Sequence, residues 1–130
     1  MQKYAVYFGR FSLALIYVWF GVLKLIDKSP ANPLVSGLLK ETLPFISFSQ
    51  FIIILGIAEI IIGILFLLPK FHKIAVTLFF IHMVATFAPL IMIPKMAWQN
   101  TLIPTLEGQY IIKNAALISI VLFLSADRKR

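Results

Sequence analysis

Apolar residues in this chain fall into four runs, at about residues 5–26, 49–68, 74–93 and 109–126, separated by charged and proline-containing segments. Each run approaches the ~20 residues that cross a ~30 Å hydrocarbon layer as a helix. None alternates as a strand does, and each exceeds the length of a membrane-barrel strand. Backbone amides find no water in lipid, so helices are the permitted answer. The pattern predicts an all-α membrane protein: a four-transmembrane-helix bundle forming a single domain over residues 1–130.

The connections differ in character. Pro69-Lys70-Phe71-His72-Lys73 is a tight basic turn between the second and third runs. In residues 27–48, Leu34, Val35, Leu38 and Leu39 repeat at helical spacing, which predicts a short helix lying at the interface. Residues 95–108 are rich in Pro, Thr and Asn and carry Trp98, which with Tyr4 and Tyr7 has the character of an interfacial anchor.

Composition strengthens this picture. Apolar residues make up 61% of the chain and charged residues 13%, against roughly 45–50% and about 25% in ordinary globular proteins. A small soluble fold needs more polar surface, not less. The net charge of +7 is spread as short clusters between the runs rather than gathered in a patch, which argues against nucleic acid as a partner and for the lipid bilayer. Lys3, Arg10, Lys70, Lys73, Arg128, Lys129 and Arg130 fall on one side; Lys24, Lys28, Lys40, Lys95 and Lys113 fall on the other with Asp27, Glu41 and Glu107. This count predicts both termini in the cytoplasm. The amino-terminal region also has features of a secretory signal ending near Ser29-Pro30-Ala31, but the length of the run and the proline argue against cleavage. The chain has no cysteine, which removes disulfides, thiol exchange and cysteine-held iron–sulfur clusters from its chemistry.

Polar residues inside the runs are the candidates for function. Arg10, Tyr17 and Lys24 are spaced by seven and share a helix face; the two cations either snorkel to opposite interfaces or serve the interior. Glu59 lies midway along the second run, out of reach of either interface, so it needs polar neighbours from adjacent helices. Gly56 and Gly63, with Ser49, give that helix a small-residue stripe on which another helix, or a second copy in a homo-oligomer, is able to pack closely. His82 should reach the depth of Glu59, with Thr86 one turn on. Gln109, Tyr110, Lys113 and Asn114 share a face near the start of the fourth run and should point into the bundle. Lys24 and Lys113 would then meet Glu59 and Glu107 in an outward-opening pocket, with carbonyls freed by Pro89 and Pro94 nearby. Two histidines without cysteine do not make a metal site.

Three stretches, "GRFSLALIYVWFGVLKL" (Gly9 to Leu25), "HMVATFAPL" (His82 to Leu90) and "LEGQYIIKN" (Leu106 to Asn114), resemble the DoxX-like family of small membrane proteins, and "GVLKL…SPANPLVSG" is similar to the related YkgB-like inner-membrane proteins. The resemblance implies a four-span fold in a bacterial-type inner (plasma) membrane. It also implies association with redox or oxidative-stress assemblies, in some relatives with quinone chemistry. The expected function is an accessory subunit, with no catalytic residue of its own, that binds a small quinone-like ligand. Lys24, Glu59, His82, Lys113 and Asn114 are the expected lining, with Arg10, Tyr17, Thr86, Glu107, Gln109 and Tyr110 as accessories. The alternatives are a metabolite or lipid binder or transporter working as an oligomer, and a purely structural assembly subunit; the expected protein partner is a second copy or a membrane redox partner. A separate enzyme has no nucleophile triad, phosphate loop or metal set to rest on; as part of one, the chain would be a quinone-linked oxidoreductase subunit.

Overall fold

The computed structural model describes residues 2–29, 32–100 and 102–128, Glu107 without its side chain. Pro30 and Ala31 of the cleavage-like stretch, and the terminal Lys129 and Arg130, lie outside the described residues. The architecture is an all-α bundle. Its elements are α1 (Gln2–Leu25), α2 (Asn32–Thr42), α3 (Phe48–Leu67), a 3-10 turn (Pro69–Phe71), α4 (His72–Phe87), α5 (Pro89–Met92), α6 (Pro94–Ala97), β1 (Trp98–Asn100), β2 (Ile103–Pro104) and α7 (Leu106–Arg128). Four helical stretches among the described residues are long and apolar enough to cross a membrane: Gln2–Leu25, Phe48–Leu67, Pro69–Met92 and Gly108–Arg128.

Local chemistry sets where these helices stop. Asp27 takes a left-handed φ of 58°, and the amides of Asp27 and Lys28 return to the carbonyls of Lys24 and Leu23 at 3.3 and 2.8 Å. That pair of bonds is the Schellman arrangement, which ends a helix while satisfying its last carbonyls. Leu68 precedes Pro69 and is pushed out of the helical region to φ −107°, ψ 98°, ending α3. Pro89 has no amide to give to the carbonyl of Ala85, so the third span breaks into α4 and α5 at Ala88. It also begins at the basic turn, earlier than its apolar run predicts.

α1 and α3 form the most extensive contact of the bundle. Gly21 and Gly56 allow it: a Cβ on Gly56 would lie 2.8 Å from the carbonyl oxygen of Gly21, and one on Gly21 would lie 2.6 Å from that of Gly56. Gly63 packs against Val18 and Tyr17 of the same partner helix. The glycine stripe of α3 is therefore filled from within the chain and is not left free for a second copy; Ser49, at its start, is exposed.

The apolar core lies toward the end of the bundle that carries both termini. Leu13, Phe66, Phe79, Val121 and Leu124 are its largest fully buried members, with Phe66 and Phe79 edge to face at 6.0 Å between ring centres. The opposite end is built differently. There α5, α6 and an antiparallel β1–β2 hairpin, which the sequence pattern did not predict, fold beneath the start of α7. Thr105 ties this corner. Its amide donates to Ala97 O at 2.8 Å, its hydroxyl donates to Met96 O, and it accepts the Gly108 amide at 3.1 Å as the cap of α7. Gly108 is required here, since a Cβ would stand 2.1 Å from Ala97 O.

Candidate functional site

Two polar clusters lie inside the bundle, one on each side of the aromatic core. The one farther from the termini is centred on Glu59. Side chains on a helix lean toward its N-terminus, and α1 and α3 run antiparallel. Lys24 therefore leans down into the bundle while Glu59 leans up to meet it. Their contact is 2.8 Å from Nζ to Oε2 and 3.1 Å to Oε1, so the ammonium straddles the carboxylate. Both residues are buried, at 6% and 5% exposure. Lys24 does not snorkel outward; the carboxylate holds it inside.

α4 completes the cluster. His82 Nε2 lies 3.2 Å from Glu59 Oε1, and its Nδ1 lies 3.0 Å from the Tyr17 hydroxyl. With the imidazole neutral and Nδ1 accepting from the phenol, Nε2–H lies on the side of the carboxylate. Tyr17, His82, Glu59 and Lys24 thus form one row of adjacent polar groups across three helices. Thr86, expected as an accessory, instead returns its hydroxyl to His82 O at 2.8 Å within α4, and still lines the space beside the cluster.

That space is a cavity of about 420 Å³ enclosed by every helix except α6. Leu34, Val35 and Leu38 of α2 form one wall, so the predicted short helix turns its apolar face onto the cavity. Phe51 and Leu55 of α3, Met83 of α4 and Leu117 of α7 supply further apolar lining. Lys24, Glu59, His82, Lys113 and Asn114, the five expected ligand-binding residues, all line it, as do Tyr17 and Tyr110. Ser29, which the sequence did not single out, joins them.

Other expectations need correction. Lys113 is exposed and makes no ion pair with Glu59; its ammonium sits 4.7 Å from the centre of the Tyr110 ring. Gln109 is exposed and off the cavity wall, because four polar residues at this spacing span too wide an arc for all to face inward. The side chain of Glu107 lies outside the described set. Trp98 is more than an interfacial anchor. Pro94 deprives Leu90 O of its helical donor, and the Trp98 indole N–H replaces it at 3.0 Å.

Arg10 belongs to the second cluster, nearer the termini, and not to the cavity. Its guanidinium donates to Phe66 O at 2.9 Å, capping the last turn of α3, and to His72 Nδ1 at 3.2 Å. Arginine only donates, so His72 Nδ1 accepts, and Nε2–H is left to donate to Ser125 Oγ at 3.0 Å. α1, α3, α4 and α7 are joined in this one network. Sequence reading placed His72 in the turn and passed over Ser125, since a histidine beside lysines reads as solvated. The seven-residue spacing of Arg10 to buried Tyr17 was the signal that its side chain turns inward.

A four-helix bundle with a largely apolar cavity, closed on one side by an aromatic core and carrying an interior ion pair on its wall, defines the class of this protein. No protein-family model, curated protein or solved structure matches the chain. Among the described residues no group of three or more metal-ligating side chains comes together.

Proposed function

We propose that this chain is a DoxX-like integral membrane protein of the inner membrane, with both ends cytoplasmic, that binds a small, partly apolar ligand such as a quinone. It acts as an accessory subunit in a redox or stress-response assembly. Membrane residence is supported by the outer faces of the long helices, where Ile54, Ile61, Ile81 and Val84 are exposed; a soluble surface of that kind would aggregate, whereas lipid solvates it. The observation that carries the ligand reading is the cavity itself. Its volume of about 420 Å³ falls within the ~300–1,000 Å³ typical of small-molecule sites, and its lining has their character, mostly apolar with a few convergent polar groups.

The chemistry on the wall suits such a ligand. Lys113 and Asn114 offer N–H donors to oxygens, while the Tyr17–His82–Glu59 row is able to hold and pass protons beside them. A ligand that binds only the folded state raises its melting temperature with concentration. Decyl-benzoquinone titrated into the purified protein in nanodiscs should do so, and Ala85→Phe, which enlarges a residue of the cavity wall, should reduce the rise. No stabilisation of the wild type, or an equal rise in both proteins, would refute the reading.

A further inference from the structure

We infer that the ligand of this cavity is a monoanionic amphiphile, an apolar body bearing one ionised oxygen group, and that Lys113 is the residue that receives its charge. The inference rests on the ligand-binding reading above and narrows its chemistry. It follows from the charges on the cavity wall. Among the described residues these are Lys24, Glu59 and Lys113. Lys24 and Glu59 cancel each other at 2.8 Å, and with its imidazole neutral His82 adds no charge. Lys113 is left over. Its ammonium has the face of Tyr110 at 4.7 Å but, among the described residues, no carboxylate at ion-pairing distance. Glu107 precedes it by six residues, which at 100° per residue sets the two about 120° apart around α7.

The wall thus carries one uncompensated positive charge beside an apolar chamber. Exposed at the cavity wall and without a carboxylate beside it, this ammonium attracts an anion seated in the chamber and offsets the charge that the ligand brings with it. A neutral ligand accepts hydrogen bonds there but leaves the charge unbalanced. Lys24 is not available for the role, since taking a ligand anion would mean abandoning a buried carboxylate that, among the described residues, has only His82 beside it otherwise. The division of labour between the two lysines is therefore unequal: Lys24 holds the site together and Lys113 selects. Leu34, Val35, Leu38 and Phe51 give the ligand's apolar body its walls.

Two probes of nearly the same shape separate the possibilities: hydroxynaphthoquinone, ionised at neutral pH, and menadione, which has a methyl group in place of the hydroxyl and stays neutral. Each is titrated into wild-type protein, Lys113→Met and Lys113→Arg in the same nanodiscs, so that partition of the probe into lipid cancels between proteins. The ionised probe should lose about tenfold in affinity in Lys113→Met, the fold-change that one charge-assisted hydrogen bond supplies. Menadione should change by less than about twofold, within the noise of an untouched contact, and Lys113→Arg should retain the preference. Equal losses for both probes in Lys113→Met, or none for either, overturn the inference and leave a quinone-binding cavity. Failure of both probes to bind wild-type protein overturns the ligand reading and the inference together. All three proteins must keep the wild-type melting temperature without ligand, which the exposed position of Lys113 leads us to expect.

Discussion

Lys24 and Glu59 are the pair on which the interior of the bundle turns, because each is tolerable there only through the other. A lone carboxylate or ammonium in apolar surroundings carries its full desolvation penalty, whereas the pair offsets it, with the His82 ring at 3.2 Å from the carboxylate. Glu59→Gln should cost about 1–3 kcal/mol, the usual penalty for stranding a buried polar partner, here Lys24. Lys24→Met should cost a similar amount by stranding Glu59. The double variant should lose clearly less than the sum, with a coupling of about 1 kcal/mol or more, above the ~0.6 average of membrane hydrogen bonds because both partners are charged. Unfolding in mixed micelles as a double-mutant cycle measures this. Additive losses would show that the contact contributes nothing as a pair.

Helices in this fold are placed by backbone approach as much as by side-chain packing. Gly21 and Gly56 bring α1 and α3 so close that each carbonyl oxygen occupies the space of the other glycine's missing Cβ. Gly56→Ala should therefore separate the helices and cost about 1–3 kcal/mol, as overpacking does. Gly9→Ala offers the contrast. Its new Cβ would meet side chains alone, Ile120 at 3.3 Å and Leu124 at 3.6 Å, and the helix gains propensity, so its stability should stay within about 0.5 kcal/mol of wild type. Equal effects at the two positions, in the same unfolding assay, would contradict the close approach. The close packing has a consequence for the site, because it is what brings Lys24 within reach of a carboxylate one turn deeper on α3. Spacing alone revealed the small-residue stripe, but not which helix would fill it. Gly56 and Gly63 look the same to a helix of the same chain and to one from a second copy, and only the fold decides between them.

For the whole molecule, the two polar clusters with an aromatic layer between them make the bundle asymmetric. Arg10, His72 and Ser125 clamp the four long helices at the end with the termini, and the cavity occupies the other half. Phe66 and Phe79 stand between the two clusters, with Tyr17 at the boundary, so among the described residues aromatic rings separate the cavity from the far cluster. The proposed orientation is testable on the protein as it stands, since it has no native cysteine to remove. Single cysteines at Lys3 and Lys70 should react with a membrane-impermeant maleimide only from the cytoplasmic side of oriented vesicles, and one at Asn100 only from the opposite side. The reverse pattern would invert the assignment.

The chain by itself determined four long helices, a short one between the first two, and the burial of Glu59, because the length of an apolar run and the cost of a charge within it are local properties. It also marked His82, Lys24, Lys113 and Asn114 as neighbours of one space, since helical periodicity sorts residues by face. Tertiary structure decided the rest. Arg10 and Lys24 carry the same charge on the same face of α1, yet one caps a helix end beside His72 and the other pairs with a carboxylate. Trp98 found the carbonyl that Pro94 had released, reaching back past α6 from a hairpin whose short strands leave almost no periodic trace. A side chain's partner depends on which helices come together and at what depth, and that is fixed by packing between segments distant in sequence, which no pattern along one segment contains.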